Sequence, residues 1–280
     1  MSSLYLSEQL KLHFPDFADS IKSVMSKRRI LINWLKGTKD IWARDYMPVK
    51  VSEDQYVSFC YEPWYLKGFE HQRSNRFELP ILKELDVTYS DLNIDGGNIE
   101  LSDQYALITD RIIRENPNRT KRSIIDELEN LLQREVILVQ AYSKSDDMTG
   151  HIDGMMRFVN ENTLVVNAIP NDFKYHYKDL ERLAKKGFAI EELPYVDDPF
   201  NSNQRITKDK RISARGIYVN YLKLDDCILF PVFQEEHFHQ SNEIAIQKME
   251  SLFPHHKILE IPFDDIAKQG GLMNCISWNS

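Results

Sequence analysis

The chain has 280 residues, of which 42% are hydrophobic and 28% are charged, and its formal net charge is −8 at pH 7. This composition is typical of a globular protein with enough residues for one large domain or two ordinary ones. The negative charge disfavours a general nucleic-acid-binding role, which needs a basic face to displace counterions from phosphates, and it suits a small cationic substrate better.

The N-terminal residues show no secretory signal, because no basic segment is followed by a continuous apolar one. No apolar run approaches the length that spans a bilayer. Apolar residues recur at helical spacing over residues 7–25, where Pro15 predicts a break, and residues 29–34 predict a strand. We expect a cytoplasmic protein without a membrane partner.

Further along the chain, runs rich in β-branched and aromatic residues alternate with amphipathic segments. Strands are predicted at residues 55–61, 87–93, 106–109, 135–141, 163–168, 188–193, 216–224, 227–233 and 257–261. Helices are predicted at residues 122–133, 175–186 and 241–252, the last with Ser241 as its N-cap, and residues 197–211 predict a loop. No linker rich in Pro, Gly and Ser interrupts the series, so a single domain over residues 1–280 is expected.

Polar stretches recur at separations of roughly 50 to 65 residues, a range typical of propellers and repeat arrays. They are Arg44-Asp45, Asp95-Gly96-Gly97-Asn98, His151-x-Asp153, Tyr218-Val219-Asn220 and Asn274-Cys275. Strands and a helix recur in the same order between them. Five such units around a central axis would bring all five stretches together in the middle of an α/β fold.

The His151-x-Asp153 pair is predicted to address one substrate, because side chains two residues apart in an extended segment point to the same side. A buried polar pair that ties one strand to its neighbour is an equally good interpretation of these two residues alone. Asp-Gly-Gly-Asn is likewise first of all a turn signal.

The three cysteines, Cys60, Cys227 and Cys275, are too few and too scattered for a disulfide framework. Cys60 and Cys227 lie in β-rich runs and are expected to be core residues. Cys275 follows a Gly-Gly turn near the chain end, so it is the candidate reactive thiol. No two of His151 and the cysteines show the local spacing of metal ligands, which argues against a metal site.

A cleft that collects Asp45, Asp95, His151, Asp153 and Cys275 supports a narrow range of chemistry. A thiolate is a strong nucleophile when positive charge or a base lies nearby, and histidine transfers protons near neutral pH. Two carboxylates can hold a planar guanidinium by paired charge-assisted hydrogen bonds, and that cation keeps the carboxylates ionised. The guanidinium carbon would be the electrophile.

Four motifs together resemble the agmatine deiminase and bacterial peptidyl-arginine deiminase family, over the chain from about Ile30 to the C-terminus. They are Trp42-x-Arg44-Asp45-x-x-Pro48, Asp95-Gly96-Gly97-Asn98, Gly150-His151-x-Asp153 and Gly270-Gly271 shortly before Cys275. The resemblance implies the pentein fold, a five-bladed α/β-propeller. It also implies a hydrolase without metal or other cofactor that converts a guanidinium to a ureido group and releases ammonia. Its substrate would be a small guanidine or an arginyl peptide, and a homodimer would be consistent with the family.

The resemblance also assigns roles. Asp45 and Asp153 would hold the guanidinium, Cys275 would attack its carbon to give a thiouronium intermediate, and His151 would protonate the departing amine and then activate water. Further candidates for substrate binding are Trp42, whose ring can stack on the cation, Asp147, where the family usually has glutamate, and Asp95, which alternatively fixes the turn beside the site.

Two departures from the family pattern concern the thiol and the substrate. The histidine that precedes the nucleophile in agmatine deiminases is replaced by Asn274. Arg215 precedes the Tyr218-Val219-Asn220 stretch and is a candidate clamp for a substrate carboxylate, although a solvent-exposed arginine is the simpler interpretation. Arg157, within an apolar strand, is interpreted as a buried salt-bridge partner.

Two other classes of function remain open on the sequence. An amidinotransferase would use the same thiouronium intermediate but pass it to an amine, and a non-catalytic relative would only bind a guanidinium or serve a structural role. The combination of Asp45, His151, Asp153 and Cys275 argues against the latter, because a binding module needs no thiol.

Overall fold

Five three-stranded sheets make up the β-structure of residues 3–142, 149–168, 174–199, 201 and 212–279, which are the residues that this computed structural model describes. Their strands are β1 (Leu4–Ser7), β2 (Ile32–Leu35), β3 (Val49–Lys50), β4 (Gln55–Cys60), β5 (Asp86–Asn93), β6 (Ile99–Leu101), β7 (Tyr105–Thr109), β8 (Glu135–Val139), β9 (Met156–Asn160), β10 (Thr163–Asn167), β11 (Ala189–Leu193), β12 (Leu222–Lys223), β13 (Cys227–Val232), β14 (Lys257–Pro262) and β15 (Ser277–Asn279).

Each sheet repeats one pattern of pairing. The sheets have the orders β15-β1-β2, β3-β4-β5, β6-β7-β8, β9-β10-β11 and β12-β13-β14. The middle strand always pairs antiparallel with the first strand of its sheet and parallel with the third. We call the first strands, β3, β6, β9, β12 and β15, the inner strands. The predicted five-bladed α/β-propeller is confirmed, and β15 closes the ring by pairing with β1 from the N-terminal end.

Helices connect most of the parallel pairs, as a crossover between parallel strands requires. They are α1 (Gln9–His13) and α2 (Pro15–Lys27), α4 (Arg111–Glu115) and α5 (Lys121–Leu132), α6 (Lys174–Lys186), and a helix at His239–Leu252. Between β4 and β5 the chain instead makes short 3₁₀ turns, the first at Trp64–Leu66. Two short helices, α3 (Ala43–Tyr46) and one at Asp264–Ala267, lie in connecting segments. None of the described helices is long and apolar enough to cross a membrane.

Helix α5 shows why the sequence folds in this way. Ile124, Leu128 and Leu132 recur at four-residue spacing and are fully buried on one stripe. The Thr120 side chain accepts a hydrogen bond from the Ser123 peptide N–H, which satisfies one of the free donors at the helix start. Apolar side chains of this kind fill four buried clusters among the described residues, and they fix each blade against the next.

Several predicted elements are corrected by the structure. The N-terminal helix is divided, as Pro15 predicted, but its first residue belongs to β1, a strand that the sequence did not reveal. Most of residues 216–224 forms turns rather than a strand, and only β12 pairs there. The helix at His239–Leu252 begins before Ser241, so Ser241 is not its N-cap. The predicted loop at residues 197–211 lies largely outside the described residues.

The cysteines and Arg157 can be compared directly with their predicted places. Cys227 is buried as predicted, whereas Cys60 is only half-buried. Arg157 forms a buried ion pair, with its Nε donating to Glu100 Oε2 at 2.7 Å, and its Nη1 donates to the Tyr221 carbonyl at 2.7 Å. The prediction that Arg157 is a salt-bridge partner is confirmed.

Candidate active site

The segments that lead into the inner strands carry the candidate catalytic residues. Asp45 lies in α3 before β3, Asp95 precedes β6, His151 and Asp153 precede β9, and Cys275 precedes β15. Because the inner strands occupy equivalent positions in the repeat, the segments before them meet at one end of the central axis. A hydrogen bond between His151 and Asp95 joins two of them directly.

Asp45 is a buried carboxylate held by neutral donors. Its Oδ1 atom accepts a hydrogen bond from the Gly97 peptide N–H at 3.1 Å, and its Oδ2 atom accepts one from the Tyr65 hydroxyl at 3.2 Å. Burial raises the pKa of Asp45 to about 7, and the opposing effect of His151 only partly offsets this rise. The carboxyl group therefore titrates near neutral pH in the free protein.

His151 lies between two carboxylates. Its Nε2 atom hydrogen-bonds Asp95 Oδ2 at 2.8 Å, and its Nδ1 atom lies 3.6 Å from Asp45 Oδ1. Burial alone would lower the pKa of His151, but Asp45 and Asp95 outweigh it and raise the pKa to about 9. The ring is thus an imidazolium at neutral pH, with both nitrogens as donors.

A 3₁₀ turn, not an extended strand, orients His151 and Asp153. Residues Ile152–Gly154 form the turn, and His151 is the extended residue that leads into it. The strand geometry predicted for this pair is therefore wrong, although both side chains are buried at the same site. The side chains of His151 and Asp153 therefore reach one site from a 3₁₀ turn, as two alternate residues of a strand would.

Gly97 leaves open the space between the charged groups. A Cβ atom at this position would lie 2.7 Å from Asp45 Oδ1, 2.8 Å from His151 Nδ1 and 3.3 Å from Asp153 Oδ2. Real Cβ atoms essentially never approach other atoms within 3.0 Å. The absence of a side chain at Gly97 therefore leaves three ionisable groups free to face one small volume.

Asn220 fixes the turn that carries Cys275. Its Oδ1 atom accepts hydrogen bonds from the peptide N–H groups of Asn274 at 3.0 Å and of Cys275 at 3.4 Å. Its Nδ2 atom lies 3.2 Å from the Cys275 sulfur and can donate to it. One amide thus orients the backbone of the thiol residue and offers a hydrogen bond to the sulfur.

The sulfur of Cys275 also faces a carboxylate. It lies 3.7 Å from Asp153 Oδ2, the oxygen that accepts a hydrogen bond from the Asn274 side chain at 2.7 Å. Burial, together with the charges of Asp153 and Asp45, raises the pKa of the Cys275 thiol well above its usual range. In the free protein the thiol therefore carries its proton at neutral pH.

Aromatic rings lie beside the charged groups. A Cβ atom on Gly271 would lie only 2.4 Å from the Trp42 ring, so the ring packs closely against the Gly-Gly turn before Cys275. The Tyr65 ring meets the His151 ring edge-on at 6.3 Å between centroids. These flat, partly apolar surfaces suit a planar cation, which gains from contact with aromatic faces.

The arrangement combines an imidazolium, a thiol and carboxylates around one volume, with aromatic side chains beside it. Within the described ranges, no group of three or more His, Cys, Asp and Glu side chains has the geometry to hold a metal ion. Such carboxylates can complement a cation, a thiol can become a nucleophile once it is deprotonated, and an imidazolium can donate a proton.

Comparison with known proteins agrees with a site that combines carboxylates for a cation with a thiol and an imidazolium. The sequence model of the family described as Porphyromonas-type peptidyl-arginine deiminase matches residues 5–280. The chain belongs to this family. Deiminases are hydrolases that act on carbon–nitrogen bonds, and membership assigns this chain to that class of enzyme.

Individual relatives and solved structures align with most of the chain. A Shewanella protein named "Putative agmatine deiminase" is 25% identical over 297 residues, covering 93% of this chain and 78% of the relative. The solved structure of C. jejuni agmatine deiminase has a TM-score of 0.78 at 20% identity, covering 99% of this chain and 92% of that one. A cysteine-to-serine variant of the C. jejuni enzyme with substrate bound has a TM-score of 0.76 at 18% identity, with the same coverage. These structures establish the shared propeller fold.

The structure brings together most of the residues predicted for a deiminase site. Asp45, Asp95, His151, Asp153 and Cys275 form one connected group. Asp95 contacts His151 directly, so its side chain does more than fix a turn. Trp42 lies beside the turn of Cys275. The predicted contact of Asp147 lies outside the described residues.

Arg215 is placed in a different setting from the predicted substrate clamp. Its Nε and Nη2 atoms donate to the two oxygens of Asp198 at 2.8 Å each, and its Nη1 atom donates to Glu235. Arg215 is 5% exposed and Asp198 is 2% exposed. It is therefore not solvent-exposed, and a guanidinium already engaged by two carboxylates does not favour the clamp hypothesis.

Sequence reasoning missed three residues that shape the site. Tyr65 belongs to a region of short 3₁₀ turns and carries no motif. Asn220 was recognised as part of a repeated polar stretch, but its contact with the Cys275 sulfur was not. Asn274 was noted only as a departure from the family pattern, yet its amide holds Asp153. The recurrence of polar residues before each inner strand was the available signal for Asn220.

Proposed function

We propose that this protein is a cysteine-dependent deiminase that hydrolyses a guanidinium compound, such as agmatine or an arginine derivative, to the ureido product and ammonia. The observation that carries the proposal is the convergence of Cys275, His151, Asp153 and Asp45 around the volume left open by Gly97. Family membership supports the reaction class, and the similarity to proteins named agmatine deiminase supports a guanidine substrate.

The substrate cation would lie between Asp45 and Asp153. Each carboxylate can accept two hydrogen bonds from a guanidinium edge, which gives orientation as well as attraction. Asp45 has a pKa of about 7 in the free protein, mainly because of burial, and a bound cation would favour its ionised form. The Trp42 ring would cover one face of the planar group.

Substrate binding would also activate the thiol. The negative charges of Asp153 and Asp45 contribute to the raised pKa of Cys275, so a cation placed between them removes part of that effect. The thiol proton is released to solvent, and the Asn220 amide donates to the resulting thiolate. The nucleophile is thereby generated only when a cationic substrate is present.

Two addition and elimination steps would follow. The Cys275 thiolate forms a bond to the guanidinium carbon, and the His151 imidazolium transfers a proton to one nitrogen, which leaves as ammonia. This gives the S-alkylthiouronium and a neutral imidazole. His151 then takes a proton from water, and the hydroxide adds to the same carbon. The carbon–sulfur bond breaks to release the thiolate, and the hydroxyl proton passes to solvent, which leaves the neutral ureido product. The hydrogen bond from His151 to Asp95 would hold the ring in place through both steps.

Ammonia release from a panel of guanidines tests the proposal. The panel contains agmatine, arginine, methylated arginine, guanidino acids and an arginyl peptide, and Cys275→Ala is assayed beside the wild type. Cys60→Ala is the matched control, because Cys60 is also partly accessible but lies in β4. We expect turnover of at least one compound, lost in Cys275→Ala and retained in Cys60→Ala. No ammonia from any compound, or full activity of Cys275→Ala, would contradict the proposal.

A further inference from the structure

A second cavity lies along the inner strands. It has a volume of about 410 Å³ and is lined by residues of all five of them, from Lys50 in β3 to Asn279 in β15. The cavity is bounded mainly by the inner strands and by residues that follow β6 and β9. Arg44 and Gly96, which precede β3 and β6 next to catalytic candidates, line its side towards the active site. We call it the basal cavity, and its size is sufficient for a small ligand.

Basic residues outnumber acidic ones in the basal cavity, although the whole chain is acidic. The basic lining residues are Arg44, Lys50, Arg134, Arg157 and Lys223. The acidic lining residues are Glu100, Asp103 and Glu161. In a protein with a net charge of −8, a cavity with an excess of positive charge is a local feature that general composition does not explain.

Most of this positive charge has no carboxylate partner. Among the described residues, Arg157 is the one basic lining residue with a carboxylate partner, Glu100. Arg44 donates to the side-chain oxygen of Asn279 at 3.0 Å and to the carbonyl of Asn274 at 3.4 Å, both of which are neutral acceptors. Neutral acceptors satisfy hydrogen bonds but leave the charge uncompensated.

The other basic residues follow the same pattern. Arg134 donates to backbone carbonyls, among them that of Val51 at 3.0 Å. Within the described part of the chain, neither Lys50 nor Lys223 has a carboxylate within ion-pair distance. On the acidic side, Glu161 accepts hydrogen bonds from neutral donors. Among the described residues, four basic groups without a carboxylate partner thus face two carboxylates that are not paired with a cation.

The electrostatic setting of Arg44 and Lys223 agrees with this excess. Burial and the neighbouring charge of Arg157 lower the pKa of Arg44 to about 10. Burial also lowers the pKa of Lys223. Both changes mean that the protonated groups are less stable here than in water, and an added negative charge would restore that stability.

We propose that the basal cavity binds a small oxyanion that carries phosphate or carboxylate groups. Lys50 and Lys223 supply ammonium groups that are exposed at the cavity and have no carboxylate partner among the described residues, although the Lys223 ammonium also lies 5.2 Å from the centre of the Phe253 ring. Arg44 and Arg134 supply guanidinium charge. Arg44 also connects this site to the catalytic end, because its peptide N–H donates to the Cys275 carbonyl at 3.0 Å and its Nε to the Asn274 carbonyl. The binding itself does not depend on the proposed reaction.

Isothermal titration calorimetry with inorganic phosphate and with succinate, at matched ionic strength, tests this site. The wild type is compared with Lys50→Gln, with Lys223→Gln and with the double variant. Lys36→Gln is the control, since it makes the same charge change at an exposed residue outside the cavity. Circular dichroism melting verifies that each variant is folded.

We expect saturable binding of at least one anion to the wild type, weakened about tenfold or more by the cavity substitutions and unchanged by Lys36→Gln. The preferred anion distinguishes a phosphate ligand from a carboxylate ligand. No saturable binding of either anion, or equal dissociation constants in the wild type and in every folded cavity variant, would overturn the proposal.

Discussion

The side-chain amide of Asn274 donates to Asp153 Oδ2 at 2.7 Å, and the same oxygen lies 3.7 Å from the sulfur of Cys275. Since Asn220 accepts hydrogen bonds from the peptide N–H groups of Asn274 and Cys275, the thiol and the carboxylate are held as one unit. A neutral amide thus stands immediately before Cys275, at the position where the family resemblance predicts histidine. In the proposed mechanism, His151 therefore provides the proton chemistry at this site.

Gly97→Ala should abolish most of the activity while leaving the fold intact. The new Cβ would lie 2.7 Å from Asp45 Oδ1 and 2.8 Å from His151 Nδ1, so these groups must shift and the substrate volume is filled. We expect kcat/KM to fall by about 100-fold or more, because displacements of about 1 Å at a reacting centre have effects of that size.

Gly154→Ala is the matched control for Gly97→Ala. A Cβ at Gly154 would meet no atom within 4 Å, and its backbone does not adopt a positive φ. We expect kcat/KM and the melting temperature of Gly154→Ala to stay near wild type. Equal losses of activity in the two variants would contradict the assignment of the space beside Gly97 to the substrate.

Asp95→Asn should shift the alkaline limb of the pH–rate profile to lower pH. Asp95 contributes to the raised pKa of His151 through its hydrogen bond and its charge, so an uncharged amide should lower that pKa, by about one unit or more. The profile of kcat against pH measures the shift, with Asp91→Asn as a control at an exposed carboxylate. Loss of activity without any shift of the limb would assign Asp95 a purely structural role.

The wild-type enzyme should show a bell-shaped dependence of kcat/KM on pH. Activity should rise as pH increases through about 7, because Asp45 is neutral below its pKa and then holds a guanidinium poorly. It should fall above about 9, because His151 loses the proton that the leaving amine needs. The groups interact, so the two limbs belong to the site as a whole. A rate that is independent of pH from 6 to 10 would contradict these assignments.

Arg215→Gln should lower stability without changing substrate affinity. The substitution leaves the carboxylate of Asp198 buried without its charged partner, and breaking a buried pair costs about 3–5 kcal/mol. Thermal melting measures the loss, and Asp198→Asn should show a loss of the same sign. The Michaelis constant for a carboxylate-bearing substrate should be unchanged in any folded variant. A selective rise in that constant would restore the clamp hypothesis.

The repeated order of strands and polar stretches predicted a propeller or another repeat array, and the family resemblance then predicted the five-bladed propeller. Each blade places its inner strand in the same position, which is why the repeat is visible in the sequence. The motifs around Asp45, His151 and Cys275 likewise predicted which residues meet. Local patterns did not predict β1, because its partners β2 and β15 are distant in the sequence, or the 3₁₀ turn at Ile152–Gly154.

Contacts between individual side chains could not be predicted from the sequence. The pairing of Arg215 with Asp198 depends on where two loops meet, and no spacing rule encodes it. The contact of Tyr65 with Asp45 joins a region of 3₁₀ turns to α3. Both depend on tertiary packing, which also determines the pKa values that the mechanism needs.

Acid-quench mass spectrometry during a single turnover tests the central claim most directly. With a substrate that the enzyme turns over, the peptide that contains Cys275 should transiently gain the mass of the substrate minus ammonia, and this adduct should disappear as the ureido product forms. The peptides that contain Cys60 and Cys227 should stay unmodified. Two results would contradict covalent catalysis by Cys275. One is product that forms faster than the adduct on Cys275, and the other is an adduct that appears on another cysteine alone.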